Sequence, residues 1–152
     1  MRNMYIIALA ALIVDQASKA AVRLWLQVGH SFALIPRLLS FTHVRNSGAA
    51  FGILAGKNTF FIVASLAVAA ALIAYSREVK GNSWLVAAFG LMLGGAAGNL
   101  VDRLLFHQVT DFIDFSFFPP TFNIADSALV IGVCLFALDM IFGGKRGNPS
   151  GL

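Results

Sequence analysis

Charged side chains are scarce in this chain, and the scarcity sets its class. Only 12% of its 152 residues are Asp, Glu, Lys or Arg, against 59% that are hydrophobic. A soluble domain carries about a quarter charged residues. Too few polar side chains exist to cover a water-facing surface, so the composition excludes an ordinary soluble domain and implies an integral membrane protein. Cysteine is reduced to Cys134, inside an apolar run. That excludes an intrachain disulfide and a Cys-based metal site. The net charge of +4 comes from scattered basic residues rather than a patch, which excludes a nucleic-acid footprint. Internal repeats and low-complexity segments are missing too. The three histidines, His30, His43 and His107, sit in no nucleophile motif, and no HExxH-like pair occurs.

Long apolar runs are what the sequence does have. A spanning helix needs about 20 residues, and four segments qualify: about 4–26, 58–75, 84–106 and 124–142. We read 1–152 as a single membrane-embedded domain. The first run, with its Met4–Val14 core, also fits a cleaved signal peptide. The pair Asp15 and Lys19 favours a retained helix with polar partners. Basic residues set the orientation. With the N-terminus in the cytoplasm, Arg2, Arg77, Lys80, Lys145 and Arg146 face inward, and segments 27–57 and 107–123 lie outside. Arg37, Arg45 and Lys57 on the outer side make this bias modest. The outer segments have strand character: LLSFTHVRNSGAAFG alternates and ends in a Gly-rich turn, and VTDFIDFSF alternates in part. If VTDFIDF is extended, Asp111 and Asp114 face opposite sides; if helical, they share a face. Its Phe, Ile and Val content and the Pro119-Pro120 that follows favour the extended form.

Polar residues inside spans need a reason. Asp15 and Lys19, four apart, stack on one helical face and can pair; such a pair also serves simply to anchor helix packing. The run GGAAGNLVDRLLF places small residues, which permit close helix approach, just before Asn99, Asp102 and Arg103 on one face. Taken alone, that cluster could be a solvated helix end. In FNIADSALV, Asn123 and Asp126 fall at a helix start, where Asp is common as a cap. Convergence changes the reading: Asp111, Asp114, Asp102, Arg103, Asn99 and Asp126 all belong at one membrane face. Carboxylates are then the credible catalytic material. Two that share a low-dielectric site do not readily both ionise, so one keeps a proton while the other acts as base. Such a dyad can activate water against an amide with neither a side-chain nucleophile nor a metal.

Five ordered motifs carry a resemblance: DQASK (Asp15–Lys19), RNSGAAFG (Arg45–Gly52), GGAAGNLVDRL (Gly94–Leu104), VTDFIDF (Val109–Phe115) and FNIADSAL (Phe122–Leu129). Together they resemble the bacterial lipoprotein signal peptidases, or signal peptidase II, over nearly the whole chain. The resemblance implies an α-helical membrane protein, with four transmembrane helices and a small extracytoplasmic β-rich cradle. It implies an inner-membrane aspartyl endopeptidase that removes the signal peptide from prolipoproteins, cutting before a cysteine that already carries diacylglycerol. By motif, the catalytic pair is Asp111 and Asp126, a choice between Asp111 and Asp114 that spacing leaves open. Asn46, Gly48, Asn99, Asp102, Arg103, Asn123 and Ala125 are implied as substrate contacts or site support, with Asp15 and Lys19 a structural polar pair. The implied partners are a lipid-modified prolipoprotein and membrane lipid, with no nucleic acid; no metal or cofactor is expected, and the chain is expected to be a monomer. His107 stands where the family often has Gly, and SFFPPT lacks a Trp frequent there. Both departures bear on loop conformation and substrate preference.

Two readings from other classes compete. A small transporter would spread polar residues through the whole depth of the bundle, whereas here they gather in the outer half, apart from Asp139. A non-enzymatic membrane scaffold would use Asp126 only as a cap and tolerate Asn at both acids. A metal-dependent membrane protease is a further enzyme alternative, and resistance to chelator would count against it.

Overall fold

The computed structural model describes residues 1–48 and 54–143. Helix α1 covers Arg2–Trp25, α2 Asn58–Ala74, α3 Ser83–Phe106 and α4 Ile124–Phe142, with a 3-10 turn at Tyr75–Arg77 closing α2. All four are long and apolar enough to cross a membrane, close to the spans read from the sequence. The Gly-rich turn of residues 49–53 and the tail that holds Lys145 and Arg146 lie outside the described residues.

Helix α3 is the hub. It packs against α1, α2 and α4 and is the most buried of the four. Its small residues make this possible. A methyl group on Gly94 would sit 2.6 Å from the Ala8 carbonyl of α1. One on Gly95 would overlap the Ala125 carbonyl of α4, and one on Gly98 would sit 2.5 Å from Asp15 Oδ2. Backbones this close bring polar groups of three helices into mutual reach. Both ends of α4 are tied. At the end away from the sheet, Asn82 caps α3 by accepting from the Trp84 and Leu85 N–H groups and donates to Asp139 Oδ1 at 2.9 Å.

Four strands form one antiparallel sheet beside the C-terminal ends of α1 and α3: β1 (Ser31–Ile35), β2 (Leu39–Asn46), β3 (Val109–Phe115) and β4 (Phe118–Phe122), in the order β1-β2-β3-β4. The strand character read in LLSFTHVRN and VTDFIDF corresponds to β2 and β3. Strands β1 and β4 were not expected. Pro119 and Pro120, which follow the extended VTDFIDF, lie in β4, an edge strand, where proline is tolerated. In the β2/β3 register Val44 faces Asp111, Asn46 faces Val109 and Ser40 faces Asp114. Asn46 is thereby the diagonal neighbour of Asp111 on one face of the sheet.

Candidate active site

Asp111 reaches the bundle from the middle of β3 and is 2% exposed. Asn46 Nδ2 donates to its Oδ2 at 2.8 Å, and Asn123 Nδ2 donates to its Oδ1 at 2.6 Å. Asp126 lies in the first turn of α4 and is half-buried. The local sequence explains its place. Asn123 and Asp126 form a reciprocal capping box: Asn123 Oδ1 accepts from Asp126 N–H at 2.9 Å, and Asp126 Oδ2 accepts from Asn123 N–H at 3.2 Å. Asp126 Oδ1 accepts from Asn99 Nδ2 at 2.8 Å. Asp126 is thus a cap, as the bland reading has it, and also one wall of a cleft of about 630 Å³ that it shares with Asn46, Gly48, Asn99, Arg103 and Asp111. The rest of that cleft is largely apolar, from β4 and from the Leu129–Ile131 face of α4.

Asp114 goes elsewhere. It accepts from Thr42 Oγ1 at 2.7 Å, as expected for residues three apart on an extended strand. Burial, followed by the nearby Asp126 charge, pushes the Asp111 carboxyl up to about 7, against the opposing pull of the Asn46 and Asn123 amides and of Lys19.

Asn99, Asp102 and Arg103 share a helix face but serve three directions. Asn99 turns to α4. Arg103 donates to the Gly48 carbonyl at 3.0 Å and lies over the Phe61 ring of α2, 4.3 Å from its centroid. Asp102 lies behind the cleft, fully buried, where its Oδ2 accepts from the Thr110 N–H at 2.9 Å, beside Asp111 in β3. Ala125 is buried as well, and its N–H donates to Asp15 Oδ1 of α1 at 2.8 Å. Lys19 Nζ pairs with Asp15 Oδ2 at 2.9 Å, both side chains being fully buried. Two supporting residues escaped the sequence reading. Gln16 donates to the Gly98 carbonyl at 3.0 Å and to Asp102 Oδ1 at 3.2 Å. Arg23 donates to Thr110 Oγ1 at 3.0 Å and pairs with Asp102 Oδ1 at 3.4 Å. The signal was present: Asp15, Lys19 and Arg23 recur every four residues, one polar stripe on an apolar helix.

Four spanning helices, a small sheet at one end and two carboxyl groups facing a common cleft define the class: a polytopic membrane protein built around a polar site with the makings of an enzyme. The family described as "Signal peptidase (SPase) II" matches residues 7–142, and the chain belongs to that family. It is 42% identical to a lipoprotein signal peptidase of Staphylococcus carnosus (strain TM300) over 144 residues, 92% of this chain and 91% of that protein. It is 45% identical to a lipoprotein signal peptidase of Shouchella clausii (strain KSM-K16) over 147 residues, 96% and 97% of the two chains. The fold matches a bacterial membrane enzyme solved by the in meso method at 2.3 Å resolution, with TM-score 0.91, 36% identity and coverage of 100% of this chain and 95% of that one.

Proposed function

We propose that this chain is a single membrane-embedded aspartyl endopeptidase. It removes the signal peptide from diacylglyceryl-modified prolipoproteins and cuts just before the lipidated cysteine. Asp111 and Asp126 form the catalytic dyad. Asn46, Gly48, Asn99, Arg103 and Asn123 contact substrate or hold the pair, with Asp102 and Ala125 supporting from behind. The protein sits as a monomer in the bacterial inner membrane, with both termini in the cytoplasm and the site near the outer leaflet. Family membership supports the substrate class. One observation carries the chemistry: Asn123 joins the two acids, its side chain on Asp111 and its backbone N–H on Asp126, and both carboxyl groups line one cleft.

In this reading one carboxylate takes a proton from a water held between the acids, and the water oxygen bonds to the scissile carbonyl carbon. The protonated partner donates to the carbonyl oxygen. Collapse of the tetrahedral species breaks the C–N bond, and a proton passes to the departing amine. The apolar cleft excludes bulk water and favours the shared-proton state that such a pair needs.

The test is cleavage of a diacylglyceryl-modified prolipoprotein by the purified protein in detergent, with chelator present. Wild type and Asp114→Asn should cleave. Asp111→Asn and Asp126→Asn should lose at least about 1,000-fold in rate, the scale for removing one member of a catalytic unit, while remaining folded. Cleavage near the wild-type rate by either of those variants would sink the dyad.

A further inference from the structure

One fully buried cation lies outside the cleft yet is bonded into it. The ion pairs of Lys19 with Asp15 at 2.9 Å and Asp102 at 3.7 Å would be explained by helix packing alone. A third contact has no such explanation: Lys19 Nζ donates to Asn99 Oδ1 at 3.0 Å. An ammonium only donates, so this bond decides which end of the Asn99 amide faces α1. The other end, Nδ2, is left facing α4, where it donates to Asp126 Oδ1. Without Lys19 the amide is held in this sense only by the longer bond from Asn123 Nδ2, at 3.3 Å, and turns more easily. Its carbonyl could then face Asp126, an arrangement suited to a protonated carboxyl.

We propose that Lys19 is a positioning residue for peptide cleavage: by fixing the Asn99 amide it keeps an N–H on Asp126 Oδ1, leaves Asp126 as the base that takes the proton from water, and assigns the shared proton to Asp111. The inference rests on the aspartyl reading above. The charged groups around the dyad are Asp15 and Lys19 from α1 and Asp102 and Arg103 from α3. Asp15 is committed to Lys19 and the Ala125 N–H, Asp102 to Thr110 and Arg23, and Arg103 to the Gly48 carbonyl. Among the described residues, Lys19 is the charge with a bonded path to Asp126. Asn123 is oriented as firmly, because its Oδ1 takes the Asp126 N–H while its Nδ2 serves Asp111 and, at 3.3 Å, Asn99 Oδ1. The raised proton affinity of Asp111 acts in the same sense.

Removing Lys19 alone would strand the buried Asp15, so the test variant is Asp15→Asn/Lys19→Met. It keeps an acceptor for the Ala125 N–H, removes both charges together and leaves Asp102 its Arg23 partner. With lipidated substrate in detergent, kcat should fall on the order of 100-fold, the scale for misplacing a general base, with KM little changed. The acid limb of the kcat/KM profile, which belongs to the pair of acids, should move up by about one pH unit, because the Asn99 N–H that favours the carboxylate form of Asp126 is no longer held in place. Asn99→Ala, which leaves the Lys19–Asp15 pair intact, should move the limb the same way, and the combined variant should lose less than the product of the two effects. If Asp126→Asn is inactive while the test variants keep the wild-type limb, Lys19 only packs helices and the proposal is overturned, with the dyad standing. If Asp126→Asn cleaves, the dyad falls and the proposal with it. Should the double variant fail to fold, Asp15→Asn/Lys19→Leu is read in its place, and an unmoved limb overturns the proposal.

Discussion

At Asp111 a carboxyl group is held out of water between two amide donors, and its proton affinity is raised from the ordinary 3.8 to about 7. For an acid raised on folding, ionisation is what the fold resists. Its contribution to stability is therefore fully present below about pH 4, declines as the pH rises toward 7, and is constant above that. Each unit of displacement corresponds to about 1.4 kcal/mol. Asp111→Asn cannot ionise, so its Tm relative to wild type should be several degrees more favourable at pH 8 than at pH 4, at the cost of activity. Thermal unfolding in detergent at the two pH values measures this; equal differences at both would contradict it. Cleavage by wild type should decline on the alkaline side near pH 7, as the proton assigned to Asp111 is lost. The sequence led to this neighbourhood because carboxylates at a membrane boundary are conspicuous. It left Asp111 and Asp114 open because both belong to one short strand. What separates them is register against β2, which puts Asn46 diagonal to Asp111 and Ser40 opposite Asp114.

At the scale of elements, the helices were legible and half of the sheet was not. Runs of about 20 apolar residues are a local signal. Strands as short as β1 and β4 draw their stability from pairing with residues distant in the chain, and nothing local in SFALI or FPPTF demanded it. The polar stripe Asp15, Lys19, Arg23 was visible, but its connection to α3 and β3 depends on the close helix approach that Gly94 and Gly98 permit. One element boundary also shows a misfit. Helix α3 ends at His107, which adopts the left-handed conformation at φ 59°. Glycine is the usual residue there, and a non-glycine pays in backbone strain. The histidine gains little in return: its Nδ1 lies 3.5 Å from Asn58 Nδ2, the limit of a hydrogen bond. His107→Gly should therefore stabilise the protein by about 1 kcal/mol, after allowing for the extra freedom of glycine in the unfolded chain. A raised Tm in detergent with cleavage retained is the expected result. A lowered Tm would mean that the Asn58 contact outweighs the strain.

At the scale of the whole molecule, polarity is one-sided along the bundle. The sheet, the C-terminal ends of α1 and α3 and the N-terminal end of α4 carry the carboxylates, amides and arginines of the site, while the opposite end holds Arg2, Arg77, Lys80 and the Asn82–Asp139 pair. This arrangement suits a reaction at one membrane face better than a path through the bilayer, which would need polar groups at every depth. It also makes orientation testable without any assay of cleavage. Basic residues near span ends tend to remain on the cytoplasmic side, and the proposed orientation has Arg77 and Lys80 inside and the sheet outside. Ser31 in β1 and Glu78 after α2 are both exposed and lie at opposite ends, and Cys134 can be replaced by Ala to leave a cysteine-free background. In right-side-out vesicles, a membrane-impermeant maleimide should label Ser31→Cys and spare Glu78→Cys until the membrane is opened. The opposite pattern would put the sheet and both acids in the cytoplasm. A substrate whose modified cysteine lies at the outer headgroups would then be out of reach of the cleft, so the labelling result constrains the proposed reaction as directly as any substitution in the dyad.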